Sequence, residues 1–210
     1  MRRVLSVLVA GAVVLLAYVC VKSIMVPITF EKEKGIRDAA VIERLMEVRK
    51  VQIEYKNIHK AHAGSFSDLE KFLNETQIPF VLKEGVLTDD QLEKGMTEQE
   101  AVKQGLIRRD TVWALAKDTL LGRDYDVANM RYIAIGDEQA ELSMDTTTLT
   151  SGSGYEIKVF ECGILYKDYL KGLDAQLTYN IIDKATKQGK FPGLRVGSLE
   201  EINNNAGNWE

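Results

Sequence analysis

Histidine, cysteine, tryptophan and proline are all scarce: the chain holds two, two, two and three of them in 210 residues. Each shortage closes a class of chemistry. Two cysteines cannot build a disulfide framework, and Cys20 lies inside a hydrophobic run, which leaves Cys162 as a small buried hydrophobe rather than a nucleophile. The histidines, His59 and His62, stand one helical turn apart just before Gly64. Spacing of i, i+3 puts both on one face, but a metal needs one or two further ligands, and only Asp68 and Glu70 lie near in sequence. There is no H-E-x-x-H run and no G-x-S-x-G turn, so neither zinc nor serine-nucleophile chemistry has a framework. The expectation is no catalytic, cofactor-binding or metal residues, with the imidazoles set against the carbonyl end of a helix.

Other absences narrow the field further. Gly152 and Gly154 are interleaved with serines, but no lysine follows them, so the run reads as a hairpin turn rather than a phosphate loop. The acidic pairs Asp124/Asp126 and Asp137/Glu138 lack the full register of a calcium loop. No basic stripe is present. Residues 1–26 contain Arg2, Arg3 and Lys22 and no acid, so the remaining 24 basic groups stand against all 31 acidic ones, about -7 in net charge. Such a body repels phosphates, which excludes a nucleic-acid partner.

What is present begins with a membrane signal. After Met1-Arg2-Arg3 come 18 uncharged residues, VLSVLVAGAVVLLAYVCV, then Lys22 and a second apolar run, SIMVPITF. Eighteen helical residues reach about 27 Å, close to the hydrocarbon thickness of a bilayer. Ala17-Tyr18-Val19 before Cys20 fits neither a signal-peptidase site nor a lipoprotein junction, because Tyr18 and Val19 are bulky. The reading is an uncleaved anchor through residues 4–30, with a cytoplasmic N-terminus and the bulk of the chain outside.

From Glu31 to His62 the residues are good helix formers. Val41, Leu45, Val48, Gln52, Tyr55, His59 and His62 follow alternating steps of four and three, a single stripe. It is apolar first and polar-aromatic later, which favours packing on a globular domain over a coiled coil. Val41, Leu45, Val48 and Tyr55 are its packing residues, toward the chain's own head and a partner helix. Gly64, Phe66, Ser67 and Glu70 form the corner where this helix stops and the next begins, with Ser67 and Glu70 as a capping box. Further boxes open at Thr88 and Thr97, and Asp110 is placed to cap a helix reaching Leu121. Residues 78–82 read as a strand, as do 130–135, 140–150, 155–166 and 194–199. Asp174 to Gln188 reads as a last amphipathic helix.

The order of elements is α+β: an anchor (1–30), a long stalk helix (31–63), a head of short helices and antiparallel sheet (64–202), and a polar tail (203–210). Two readings of the tail stand: a free segment, or one docked through Trp209.

The run from the apolar segment through Pro27 to Tyr55, Gly64-Ser65-Phe66, Leu69 and Phe72 resembles type IV pilins and the pseudopilins of type II secretion. That resemblance implies a membrane helix continuing into a stalk whose upper half packs on an antiparallel sheet. Residues 4–30 hold no acid and no Gly-Phe-Thr-like junction precedes them, unlike a prepilin. A one-span assembly protein of such a machine shares the same topology. The resemblance therefore implies a non-enzymatic structural subunit of a bacterial cell-envelope complex, single-pass in the inner membrane with a periplasmic head. It implies protein partners, a homo-oligomer among the arrangements it allows. The alternative is an envelope-anchored enzyme or ligand-binding domain whose site is assembled from dispersed loop residues.

Overall fold

The computed structural model describes residues 2–85, 95–136 and 138–210. It is α+β, with one long N-terminal helix and small antiparallel sheets. The chain divides into two compact units, Met1–Phe66 with Asn129–Glu210, and Ser67–Ala128. The stretch 64–202, read above as one head, is thus divided, with the second unit inserted in sequence between the stalk helix and the sheet of the first.

Helix α1 runs without interruption over Arg2–His59, 58 residues, or about 87 Å at 1.5 Å per residue. It carries Pro27 in its interior. A proline there removes one main-chain donor, and the helix continues through it although the flanking Ile24, Val26, Ile28 and Thr29 are β-branched. Side chains from Leu8 to Ile28 stand exposed, and the helix is long and apolar enough to cross a membrane, with a mean hydropathy of 2.3 over its most apolar window.

The helix ends four residues before the expected stop at Gly64. Lys60 takes a left-handed φ of 60°, and its N–H donates to the Lys56 carbonyl at 2.8 Å. A left-handed residue at this position closes helices by satisfying the last carbonyls, and glycine usually supplies it. Gly64 lies outside the left-handed region, and a Cβ there would meet only Thr146 Oγ1, at 3.5 Å.

The rest of the first unit is a three-stranded antiparallel sheet of β5 (Ser143–Thr150), β6 (Glu156–Leu165) and β7 (Gly193–Gly197), in the order β5-β6-β7. Beside it lie the pair β3 (Tyr132–Ile135) and β4 (Glu138–Glu141) and two helices, α5 (Tyr166–Tyr169) and α6 (Ala175–Lys187). The SGSG turn joins β5 to β6, with Gly154 at φ +83° and the Ser151 hydroxyl accepting from Tyr155 N–H. The C-terminal half of α1 packs on β3, β6 and β7. Val41, Leu45, Val48 and Val51 are fully buried, together with Phe160, Cys162 and Val196 of the sheet. Truncating Leu45 to alanine would cost about 2–5 kcal/mol.

In the second unit, α2 (Phe66–Glu75) leads into β1 (Gln77–Glu84), which pairs antiparallel with β2 (Arg108–Leu115); α3 (Glu98–Lys103) and α4 (Ala116–Leu120) complete it. Thr97 caps α3 as a full capping box with Glu100. The box at Thr88 lies outside the described residues. Two expectations fail here. Because α2 begins at Phe66, Ser65 takes the capping position and Ser67 and Glu70 lie inside the helix. Residues 110–115, expected as helix, are strand: the β-branched and aromatic Thr111, Val112 and Trp113 pair with Val81, Phe80 and Pro79. Strand pairing overrode a helical spacing of Trp113, Ala116 and Leu120, and only Ala116–Leu120 is helical.

Candidate functional site: the junction of stalk helix and sheet

The two histidines do not share a site. His59 is exposed at the last helical residue, its ring 4.3 Å from that of Tyr55. His62 lies beyond the helix end, 7% exposed, with its ring 4.7 Å from Phe160. Neither His62 nitrogen has a hydrogen-bond partner. Burial, and then the positive charge of Lys56, lower its pKa from the ordinary 6.5 to about 4; the nearby Gln52 main-chain carbonyl, outside hydrogen-bonding geometry, offsets this only in part. His62 is therefore a neutral aromatic core residue at pH 7. Among the described residues no group of three or more His, Cys, Asp or Glu side chains is placed to hold a metal. Of the acidic pairs, Asp126 accepts from Ala128 N–H, Glu138 pairs with Lys171, and Asp137 lies outside the described residues. The Cys162 thiol is buried and held well above its ordinary pKa by that burial and then by the Glu161 charge, which makes it unreactive as a nucleophile.

The polar end of the stripe has a different role from the one its sequence suggested. Gln52 is fully buried, and its amide clamps Ala63 at both ends: Nε2 donates to the Ala63 carbonyl and Oε1 accepts from the Ala63 N–H, each at 2.9 Å. Nε2 also lies 3.1 Å from the Met144 sulfur. One side chain thus imitates a strand partner for the corner segment, satisfying main-chain groups that burial would otherwise leave unpaired. Of the corner residues, Phe66 is buried, Gly64 and Ser67 are exposed and Glu70 is half-buried. Val41, Leu45 and Val48 are consumed by the chain's own sheet, and Tyr55 is half-buried.

A polar collar sits lower on α1. Arg37 donates to the carbonyls of Tyr169 and Lys171 at 2.9 and 2.8 Å. Asp38 accepts from the Tyr169 hydroxyl at 2.6 Å and pairs with Lys34 at 2.6 Å. Tyr169 is fully buried, and burial followed by its bond to Asp38 keeps the phenol protonated far above its ordinary range. These bonds fix α5, and the turn after it, at one height on α1. The sequence gives no sign of this collar, because the partners of Arg37 and the Tyr169 partner of Asp38 are more than 130 residues away.

The tail is docked. Gly207 bridges to Val196, Gly197 N–H donates to the Ala206 carbonyl, and Asn208 N–H donates to the Arg195 carbonyl, the last two at 3.0 Å. The Asn208 side chain repeats this pattern, accepting from Arg195 N–H and donating to the Gly193 carbonyl. Asn204 and Asn205 adopt left-handed φ of 52° and 60°, a conformation that asparagine tolerates better than most residues. Trp209 covers Gly207 so closely that no side chain would fit there. Glu210 closes the segment on α1 through Arg49 at 2.7 Å.

Several crevices in this unit lie along α1. One of about 830 Å³ lies between Glu31 and Lys34 of α1, the end of α6 and the tail; it is open and lined by charges of both signs. No protein-family model, curated protein or solved structure matches this chain.

Proposed function

We propose that this chain is a membrane-anchored structural subunit of a bacterial cell-envelope assembly, pilin- or pseudopilin-like or a component of a type II secretion or pilus machine. In this reading it is single-pass in the inner membrane, with a cytoplasmic N-terminus and a periplasmic head, and it works through protein contacts. The observation that supports it is the continuity of α1, one helix whose first half exposes apolar side chains while its second half is built into the head's core. Each exposed valine or leucine forgoes about 1.5–3 kcal/mol of burial, so a run from Leu8 to Ile28 calls for a lipid or protein environment.

Crosslinking tests the proposal. Val41, Leu45 and Val48 are buried, so the photo-reactive groups belong at the exposed Glu43, Met46 and Lys50. In native membranes these positions should capture discrete partner proteins or further copies of the chain. A strictly monomeric product from all three, in a chain that resists alkaline extraction, would end the assembly reading while leaving the anchor standing. Mass spectrometry of the mature N-terminus then separates an uncleaved anchor from a processed subunit.

A further inference from the structure

We propose that the segment from Gly172 to Tyr179 is a foot that rests in the lipid headgroup layer, a second membrane contact that seats the head on the bilayer. The inference depends on α1 being the anchor, and it adds a surface that neither the apolar run nor the stripe contains.

The height of the segment on α1 carries the argument. Residues 4–21 span about 27 Å of hydrocarbon, and a headgroup layer adds roughly 5–8 Å on each side, or about four or five helical residues. That places Lys22 to Val26 in the headgroup layer, with Pro27 at its outer edge. The start of α6 stands beside these residues: Asp174, Gln176 and Leu177 share a crevice of about 460 Å³ with Val19, Lys22, Val26 and Pro27. Gly172, Leu173 and Asp174 share a second, of about 350 Å³, with Met25, Thr29 and Phe30. Phe30 is 4% exposed, so the head's cover of α1 begins one turn above this level. The collar of Arg37 and Asp38 with Tyr169 and Lys171 holds the segment there.

The segment's composition suits that layer. Helix α6 has an apolar face, yet none of its residues is buried. Leu173 and Leu177 are half-covered, and Tyr179 is 61% exposed. Tyrosine is enriched at the membrane–water boundary, where its ring meets the acyl region and its hydroxyl stays wet. Lys22 lines the first crevice together with Asp174, and Lys167 and Lys171 lie on the other side of the segment, Lys171 paired with Glu138, so Lys22 and Lys167 are the cations that suit anionic headgroups. The two crevices open where lipid would fill them, so the occupant assigned is the bilayer surface.

The test uses the full-length chain, Cys20→Ser, reconstituted in vesicles of phosphatidylcholine and phosphatidylglycerol with nitroxide-bearing lipids. A fluorophore is placed singly at Ala175→Cys, Tyr179→Cys, Val13→Cys or Tyr155→Cys, each protein first shown to keep the parent urea midpoint. Tyr155 lies at the far end of β6 from the collar, about 33 Å along a ten-residue strand. Expected is strong quenching at 13, and quenching at 175 and 179 severalfold above that at 155. Quenching at 175 and 179 no greater than at 155, with 13 still quenched, overturns the foot and spares the anchor. No quenching at 13 removes the anchor and the foot together. Quenching at 179 only by a nitroxide on a second copy, lost on dilution in lipid, would make this a contact between copies and overturn the foot.

Discussion

Replacing Gln52 by leucine tests the central claim about the junction, that one buried amide serves as the main-chain partner of the corner. Gln52 and Ala63 are 0% and 1% exposed, so neither leaves its groups to water. Leucine is close in size to glutamine but can neither donate nor accept. The Ala63 N–H and C=O, each bonded at 2.9 Å, would be orphaned at about 1–3 kcal/mol apiece. The extra apolar surface returns about 1–2 kcal/mol. The net loss should be about 2–4 kcal/mol. Gln52→Glu should lose more at pH 7, because its second oxygen would face the Ala63 carbonyl with a buried negative charge. Urea unfolding in detergent reads this, followed by Trp209 emission in a Trp113→Phe background. Trp209 belongs to the same compact unit as the clamp and Trp113 to the other, so the signal reports the right transition. Amide exchange at Ala63 adds a local reading and should accelerate in the leucine variant. A change below about 0.5 kcal/mol with Ala63 protection intact would refute the account.

Lowering pH should destabilise this unit through His62. The unfolded chain takes up the proton near 6.5 and the folded one only near 4, so stability is full above 6.5 and falls as pH drops from 6.5 towards 4. The loss should approach about 2–3 kcal/mol, and a His62→Phe variant should flatten this slope in urea midpoints taken across the range. Gly197→Ala should cost more than about 2 kcal/mol by thermal melting, because Gly197 holds φ +74° and a methyl there would collide with the Phe160 carbonyl. Lys60→Gly should raise stability by about 0.5–1 kcal/mol, since the helix already ends on a left-handed residue there. Deleting residues 203–210 removes four hydrogen bonds to β7 and the Arg49–Glu210 pair, and should cost about 2–4 kcal/mol by urea unfolding; an unchanged midpoint would show that the tail does not hold the sheet.

Elements that carry their own local signal were legible in the sequence. The apolar run, the strands at 132–135 and 156–165, the Ser-Gly hairpin, the Thr97 box and the Asp174-capped helix appear where periodicity and caps placed them, whereas the single strand expected over 140–150 is divided at Leu142 between β4, which pairs with β3, and β5, which pairs with β6. Elements decided by distant partners were not. Residues 110–115 carry a helical spacing but lie against β1, and tertiary pairing won. The stop at Lys60 was hidden because a non-glycine residue adopts the left-handed turn, while Gly64 drew the eye without needing its freedom. Gln52 looked like a fading stripe, although its partner is a main-chain unit eleven residues on. The Asn-rich tail, polar and aperiodic, resembled disorder. Only with β7 in place does Asn208 become a surrogate strand residue. The histidines, the most conspicuous candidates for chemistry, separate into an exposed stack and a buried one.

The burial of the stripe also constrains how α1 can meet anything else. A helix face fully enclosed by its own sheet cannot serve a partner without unfolding the unit, and opening Val41, Leu45 and Val48 together would exceed the several kcal/mol that typically separate folded from unfolded states. In the proposed anchored-subunit reading, partner contact is therefore restricted to the side left open. There Glu43, Met46, Lys50 and Ile53 follow steps of three and four, with Met46 and Ile53 40% and 43% exposed among charges. Such a face is too polar to drive a tight coiled coil and suits contacts reinforced by a shared membrane, where confinement of the anchors raises effective concentration. The polar collar at Arg37 and Asp38 ties α5 and the turn after it to the lower end of this stretch of helix. The three-stranded sheet and the second half of α1 are therefore one packed body, and in the proposed reading a partner gripping the open face would sense the position of both.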